Sequence, residues 1–361
     1  MSEVEQFLSY LRVNRNRSES TVSAYRPLLR RLEEHLAELG KGILDATPQD
    51  LELWSGPVLH KLGLDAATRA KAISAVRGLY RWAERTGLVQ RSQAQALDRP
   101  RLPEALPVSW SLEQAEAMIW APDLSTFKGV RDAAILSFLI GTGCRVSGLS
   151  ALNESDVFTE DVLGERWAFV HLKEKGKKSR QVPLPKLALV PLLMYLGHEE
   201  RQAMGETRHH LRTGSDQVLF CNLRPGKTPL HEWYGEKRRL TRKGVWSLVV
   251  WYGRQAGIPA KLLHPHAARH LMGTHLYDEG IDKEDRKVFL GHERDETLAI
   301  YTRTSRKRLL AIAGKSNPLS AMKSPFAQLA EVVNGAKSVD SRAKQNRTPI
   351  TGTSGSKGKG K

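Results

Sequence analysis

Two stretches in the second half of the chain could bring positive charge to a phosphate group. In "GTGCRVSGLSAL", Arg145 follows glycines, which let a backbone approach a ligand closely. Its guanidinium offers a planar fork of donors suited to phosphate oxygens. In "KEKGKKSRQVPLP", a lysine at a hairpin tip could reach a backbone or protonate a leaving oxygen. Taken alone, the first could be a surface arginine at a turn and the second a solvated basic turn.

A third stretch, "HPHAARH", combines histidines with an arginine. His266 and Arg269 lie at i, i+3, so a helix places them on one face, where they could handle an anion. A metal site is a competing interpretation because His264 and His270 are close by, but carboxylate and thiolate ligands are missing and no HExxH pattern occurs. Purely structural histidines are the other alternative.

A fourth stretch, "LGHERDETLAIY", could supply a nucleophile. His292 could donate to a phosphate oxygen, and Tyr301 could attack as an oxygen nucleophile. A phenol with the usual pKa of about 10 is a weak nucleophile unless nearby cations lower that pKa. Without such neighbours, a tyrosine near a histidine on a helix is ordinary packing.

The composition favours a nucleic-acid partner. The chain has 361 residues with 56 basic and 39 acidic side chains, which gives a formal charge of +17. The basic residues cluster in "HLKEKGKKSRQ" and "GEKRRLTRKG", a pattern that indicates a polyanion. Two cysteines are too few for a disulfide framework, and no apolar run is long enough for a membrane span. We therefore expect a cytoplasmic, nucleoid-associated protein with no membrane partner.

Helix signals dominate the first part of the chain. Residues 1–96 are predicted to form a small all-helical domain, in which Thr47 is an N-cap and residues 66–86 form a helix that ends at Gly87. Repeated prolines in residues 97–109 indicate a linker.

The second domain, residues 110–315, is predicted to mix helices with a few strands. Ser111 and Gln114 form a capping box, and "GVRDAAILSFLIGTG" is an apolar helix stopped by glycines. "RWAFVHLKEKGKKSRQVPLP" predicts two strands around a turn, and "QVLFCN" a further short strand. The expected fold class is mainly α with a small antiparallel β-sheet in an α+β domain that follows a helical domain.

The C-terminal part divides into a helix and a tail. Within residues 316–337, "SPFAQLAEVVNG" predicts a helix with Ser324 as its N-cap and an apolar stripe through Phe326 and Leu329. A helix this short needs a surface to cover, either on its own domain or on a neighbouring molecule. Residues 338–361 are rich in serine, glycine and lysine and are predicted to be a disordered basic tail.

Together, the four stretches resemble the motifs of the tyrosine recombinases, or phage integrases, over roughly residues 2 to 312. The family's Arg-x-Ser-Glu-Leu, hairpin Gly-Lys-Gly-x-Lys, His-x-x-Arg-His and Leu-Gly-His…Tyr boxes occur here in order. The matching segments are 145–149, 174–178, 266–270 and 290–301. Its core-binding domain is similar in size and position to residues 1–96. Because this chain starts at once with the helices of that domain, a simple two-domain, Xer-like or mobile-element recombinase is expected.

The resemblance implies a site-specific recombinase that cleaves and rejoins DNA through a 3′-phosphotyrosyl intermediate, for integration, excision or resolution. The implied catalytic residues are Arg145, Lys175, His266, Arg269, His292 and Tyr301. Tyr301 would be the nucleophile, Lys175 the acid for the leaving 5′ oxygen and His266 a proton-transfer group. The remaining three would stabilise charge on the phosphate. Neither a cofactor nor a metal is expected.

Double-stranded DNA is the expected partner, held by a clamp of the two domains. The residues expected to contact it besides the catalytic set are Arg242, Lys243, Lys177, Lys178 and Arg180. The resemblance implies a homotetramer on two DNA sites, with possible accessory proteins. A topoisomerase of the same chemistry and a non-catalytic DNA-binding protein of this fold are the alternatives.

Two departures from the family pattern matter for the site. Gly148 stands where the family usually has an acidic residue, which puts the support of neighbouring groups in doubt. Residues 195–245 are longer than in a minimal member, and "HEWYGEKRR", 231–239, is similar to an insertion before the basic helix.

Overall fold

The chain forms two compact units, Met1–Leu106 and Pro107–Lys361. This computed structural model describes residues 1–101, 109–162, 164–173, 179–205, 217–291, 303–335 and 348–349. None of the described helices is both long and apolar enough to cross a membrane.

The first unit is a bundle of helices around its own core. Its helices are α1 (Glu3–Val13), α2 (Glu19–Glu38), α3 (Pro48–Leu53), α4 (Leu59–Lys61) and α5 (Ala66–Arg85), with a π-helical turn at Trp54–Val58 before α4. Thr47 is the N-cap of α3, as the sequence predicts, and forms a capping box with Asp50. Phe7, Trp54 and Tyr80 are among its fully buried residues, and Tyr80 donates to the carbonyl of Ile43 at 2.6 Å.

The second unit combines helices with one small sheet. Its helices are α6 (Leu112–Trp120), α7 (Phe127–Thr142), α8 (Val146–Ser150), α9 (Lys186–Gly197), α10 (Glu199–Gly205), α11 (Arg242–Gln255), α12 (His266–Asp278), α13 (Lys283–Leu290), α14 (Arg303–Gly314) and α15 (Ala327–Gly335). Its strands are β1 (Val157–Val162), β2 (Glu165–Lys173), β3 (Ser179–Pro183) and β4 (Thr348–Pro349), in the order β3-β2-β1-β4. The predicted fold class is confirmed.

Helix α7 is the central element of this unit. Every residue from Val130 to Thr142 is buried, so the helix is covered on all sides and is not amphipathic, although it carries the charged residues Arg131 and Asp132. It ends at Gly143, whose φ of 56° lies in the left-handed region. A Cβ there would also lie 2.9 Å from Leu290, so this glycine both turns the chain toward Arg145 and lets α13 approach closely.

The sheet differs from the prediction in two places. The two strands expected around the basic turn are β2 and β3, which pair antiparallel from Phe169↔Pro183 to Lys173↔Ser179. "QVLFCN", in contrast, forms single bridges rather than a strand, Asn153↔Val218 and Cys221↔Arg239. The apolar residues Leu219 and Phe220 of this segment are buried in the core.

The C-terminal helix α15 packs on its own chain, against α9. Phe326 is buried at its start, while Leu329 is 46% exposed, so only part of the predicted apolar stripe is covered. Asn317, also buried, donates to the carbonyl of Gly141 at 2.8 Å and fixes the approach to α15. Further on, Thr348–Pro349 pairs with β1, a contact not anticipated for the tail.

Candidate active site

A cavity of about 640 Å³ opens on the second unit where α12, α13 and the start of α8 meet. Its lining residues are Arg145, His266, Arg269, His270, Gly273, Thr274, Tyr277, Arg286 and Leu290. Three residues that the sequence predicted to be catalytic therefore share one cavity, although they lie on different elements.

Arg145 reaches the cavity from the N-cap position of α8, directly after the turn at Gly143. One of its Nη atoms donates to the carbonyl of Gly291 at 3.4 Å, which links α8 to the end of α13. Desolvation and the positive charge of Arg180 both lower its pKa. The side chain is half-buried, so its remaining surface faces the cavity.

Arg269 is the most deeply buried cation of the cavity, with 6% of its surface exposed. Its Nη1 donates to the carbonyl of Gly143 at 2.8 Å, and its Nη2 donates to the carbonyl of Leu290. Within the part of the chain that the structure describes, no carboxylate forms an ion pair with it. Burial, together with the charges of Arg145 and Arg180, lowers its pKa. The site therefore holds a cation whose charge is incompletely balanced.

Arg180 adds a third guanidinium to this region, from the sheet. It lies on β3 opposite Leu172, and only 9% of it is exposed. Its positive charge contributes to the lowered pKa of both Arg145 and Arg269. The sequence predicted this residue as a DNA contact, whereas the structure buries it beside the predicted catalytic arginines.

His266 is the first residue of α12, one helical turn from Arg269. Desolvation and the charge of Arg269 lower its pKa, followed by the neighbouring His270 and His264. A lowered pKa keeps the imidazole neutral near pH 7, so it can accept a proton. His264 has a structural contact, since its Nδ1 accepts from the backbone of Ala267 at 3.2 Å. Among the described residues, no group of histidine, cysteine and carboxylate side chains could hold a metal ion.

Five predicted site residues fall outside the described part of the chain. Lys175, Lys177 and Lys178 belong to the sequence between β2 and β3, and His292 and Tyr301 to the sequence between α13 and α14. Their predicted roles stay predictions.

The two remaining predicted DNA contacts, Arg242 and Lys243, are exposed at the start of α11 and are not among the cavity residues. The ring of Trp246, one turn further along this helix, stacks on that of His264 with 6.2 Å between centroids. This contact connects the exposed face of α11 to the segment that precedes His266.

Gly148, the departure from the family pattern, is buried behind Arg145 on α8. A Cβ at this position would lie 3.4 Å from the backbone carbonyl of Lys173. Lys173 itself pairs with Asp156 at 3.1 Å. A side chain longer than glycine would therefore point toward the end of β2.

The segment 231–239 contacts the chain at the end of α8, the helix that begins after Arg145. Arg239 donates to the carbonyls of Ser150 and Leu152 at 3.1 and 2.9 Å and thereby fixes the chain directly after α8. The sequence alone indicates only an insertion at this segment. Thr274, Tyr277 and Arg286 also line the cavity but are not predicted from the sequence. Thr274 and Tyr277 lie at helical spacing from His266, so this spacing could identify them.

Comparison with known proteins gives matches over both units. The phage integrase family profile matches residues 111–308, and the profile of the phage integrase N-terminal SAM-like domain matches residues 4–87. The tyrosine recombinase XerD of Yersinia pestis is 32% identical over 316 residues, which cover 87% of this chain and 97% of that protein.

Two solved structures are similar in fold. The XerH site-specific recombinase bound to palindromic difH substrate, a post-cleavage complex, has a TM-score of 0.61 at 20% identity and covers 86% of this chain and 84% of its own. A lambda integrase tetramer bound to a Holliday junction has a TM-score of 0.55 at 16% identity, with 82% and 75% covered. The resemblance seen in the sequence is confirmed.

Proposed function

We propose that the cavity binds the scissile phosphate of DNA. The premise is that this chain belongs to the phage integrase family and is a tyrosine recombinase that catalyses site-specific DNA recombination. The observation that carries this proposal is the environment of Arg269. A buried guanidinium held by two backbone carbonyls keeps its positive charge available to an anionic ligand. Burial and the charges of neighbouring arginines lower the pKa of both Arg145 and Arg269, and a phosphate bound between them would offset that positive charge.

The attacking group in this proposal is the phenolic oxygen of Tyr301. It bonds to the scissile phosphorus, and the bond from phosphorus to the 5′ oxygen breaks, which leaves a 3′-phosphotyrosyl link and a 5′-hydroxyl. Extra negative charge develops on the non-bridging oxygens, where Arg145, Arg269 and His292 act as donors. A second 5′-hydroxyl reverses the step on a new partner strand, so rejoining needs no nucleotide.

Proton transfer is divided between two groups. The leaving 5′ oxygen takes its proton from Lys175, and the neutral imidazole of His266 accepts the proton of the tyrosine. The lowered pKa of His266 supports this assignment, because the group must be unprotonated to act as a base.

The decisive experiment compares two tyrosines. Tyr301→Phe should abolish the covalent protein–DNA adduct on a nicked suicide substrate while leaving DNA binding nearly intact, since it removes one hydroxyl and no charge. Tyr277→Phe is the matched control, because Tyr277 lines the cavity and is 66% exposed. An adduct that persists in Tyr301→Phe and disappears in Tyr277→Phe would overturn the assignment.

Larger assemblies follow from the same proposal. The lambda integrase neighbour is a tetramer on a Holliday junction, and we infer a homotetramer on two DNA sites here. Residues 1–96 and residues 110–315 would both bind DNA, with residues 97–109 as the linker. Lys177, Lys178, Arg242 and Lys243 would contact backbone phosphates, and Arg180 would add charge behind the scissile phosphate.

The region 316–337 would take part in assembly. Phe326, directly before α15, is buried in its own chain, whereas Leu329 on α15 is exposed, and we infer that Leu329 contacts a neighbouring molecule. We infer a cytoplasmic, nucleoid-associated enzyme of a mobile element or chromosome, with possible accessory proteins. Truncation after Pro318 would then leave single-site binding intact and reduce synaptic complexes in native gels.

A further inference from the structure

The cavity is longer than a single phosphate requires. His266, His270, Thr274 and Tyr277 follow one another along one face of α12, and all four line the cavity. At about 1.5 Å of rise per residue, the helix carries this face over roughly 16 Å. The volume of about 640 Å³ suits a group of nucleotide size. The end near Arg145 and Arg269 therefore accounts for only part of it.

Arg286 lines the cavity beside Tyr277 and is held by two contacts. Its Nε donates to the carbonyl of Ile281 at 3.0 Å, and its guanidinium carbon lies 5.0 Å from the centroid of the Tyr277 ring. A guanidinium over an aromatic face is stabilised by the ring's quadrupole. The ring and the carbonyl fix the plane of the guanidinium. Its two Nη groups would therefore lose little conformational entropy when they bind a ligand.

The charge of the cavity lining favours an anion. The cavity is lined by three arginines and two histidines, and no acidic side chain is among its described lining residues. The carboxylates of α13 are engaged elsewhere: Asp285 contacts Arg308 at 3.5 Å, and Glu284 pairs with Lys287 at 2.7 Å. Arg286 lines the same cavity as Arg145 and Arg269, and a second fixed cation beside the proposed scissile-phosphate site matches a polymer of regularly spaced phosphates.

We propose that Arg286, supported by the Tyr277 ring, binds a DNA backbone phosphate adjacent to the scissile one and so sets the position of the strand in the active site. This inference rests on the proposed function of the cavity. Arg286 is a positioning residue: its Nη groups donate to non-bridging oxygens of a phosphate that does not react. It should therefore affect DNA affinity and the alignment of the scissile bond more than the chemistry itself.

The test replaces single phosphates near the cleavage site by neutral methylphosphonates. On unmodified DNA, Arg286→Ala should weaken binding roughly 10- to 100-fold, as expected for loss of a charge-assisted hydrogen bond. The slope of binding against salt should fall by about one ion. At one phosphate neighbouring the scissile position, the methylphosphonate should weaken the wild type by a similar factor and the variant hardly at all.

Two further variants keep the result interpretable. Lys283→Ala removes an exposed cation from the same helix that does not line the cavity, so it should lower affinity less and show no coupling to any single phosphate. Arg286→Lys should keep the salt slope and lose part of the affinity. The proposal is wrong if Arg286→Ala and Lys283→Ala weaken binding equally. It is also wrong if the loss of affinity in Arg286→Ala simply adds to the loss caused by a methylphosphonate at every position.

A separate measurement tests the proposed function of the cavity. Adduct formation by the wild type on unmodified suicide DNA tests the cavity as a cleavage site and does not depend on Arg286. A wild type that forms the adduct with no phosphate coupled to Arg286 would reject this inference alone.

Discussion

Arg131 and Arg269 are buried to nearly the same extent, 7% and 6% exposed, yet their surroundings differ. Arg131, on α7, donates through Nε and Nη2 to Asp132 at 2.8 and 2.5 Å and through Nη1 to the carbonyl of Cys221 at 2.9 Å. Arg269 has backbone carbonyls where Arg131 has a carboxylate. The first arginine is neutralised by its own chain, and the second is held in place without being neutralised.

This difference separates a structural cation from a functional one. A buried charge is costly unless it is paired, so an arginine that serves only the fold is expected to have a carboxylate partner. Arg201 follows the same rule as Arg131, since it is buried and pairs with Glu154. The incomplete pairing of Arg269 makes sense when the missing negative charge is supplied by DNA.

The largest expected effect comes from removing the negative charge from the buried pair of Arg131 and Asp132, called the structural pair below. Asp132→Asn removes the charge opposite Arg131 while keeping the size of the side chain, and Asp132 is only 1% exposed. Leaving a buried charge without its partner costs about 3–5 kcal/mol. Urea unfolding followed by tryptophan fluorescence should show this loss for the second unit. A change below about 1 kcal/mol would mean that the pair does not balance a buried charge.

The next effect tests the functional arginine with a matched pair of lysine variants. Arg269→Lys keeps the charge but loses the fork of donors, so the rate of adduct formation should fall about 10²–10³-fold. Arg131→Lys should leave that rate unchanged per folded molecule, because its lysine still pairs with Asp132. Equal loss of rate in both variants would indicate a general disturbance of the unit and remove the distinction.

Much of the fold is predictable from the sequence because its local signals are strong. The capping box at Ser111, the glycine stop at Gly143 and the β2–β3 pairing were all predicted and are present. "QVLFCN" was wrongly predicted as a strand because its apolar residues fill the core without a partner strand to pair with. Apolar alternation alone does not distinguish these two outcomes.

The site was only partly accessible from the sequence. Arg145, His266 and Arg269 were named from motifs, and the structure brings them to one cavity. The burial of Arg180 depends on sheet register, and the contact between Arg286 and Tyr277 joins two helices. No local pattern encodes either arrangement, because each is fixed by packing between elements.

A pH profile sharpens the assignment of His266. Its pKa is lowered from the usual 6.5 by desolvation and Arg269, so the neutral, proton-accepting form persists below that pH. Cleavage should stay level through neutral pH and fall tenfold per unit only below the lowered pKa, where the imidazole becomes charged. His266→Gln should be slower and lose this acid limb, whereas His264→Gln should keep it. An acid limb that survives in His266→Gln would place the base elsewhere.

The smallest effect is expected at the outer edge of the structural pair. Lys128 also contacts Asp132, with 2.8 Å from Nζ to Oδ2, but its side chain is 58% exposed. Lys128→Met leaves Asp132 with Arg131 and with the Tyr252 hydroxyl, which donates to it at 3.0 Å. An exposed partner is screened by water, so unfolding should become easier by less than about 1 kcal/mol, well under the effect of Asp132→Asn. Adduct formation should not change. If Lys128→Met costs as much as Asp132→Asn in the same urea titration, the balance of charge inside the unit depends on the surface lysine, and the contrast between Arg131 and Arg269 loses its basis.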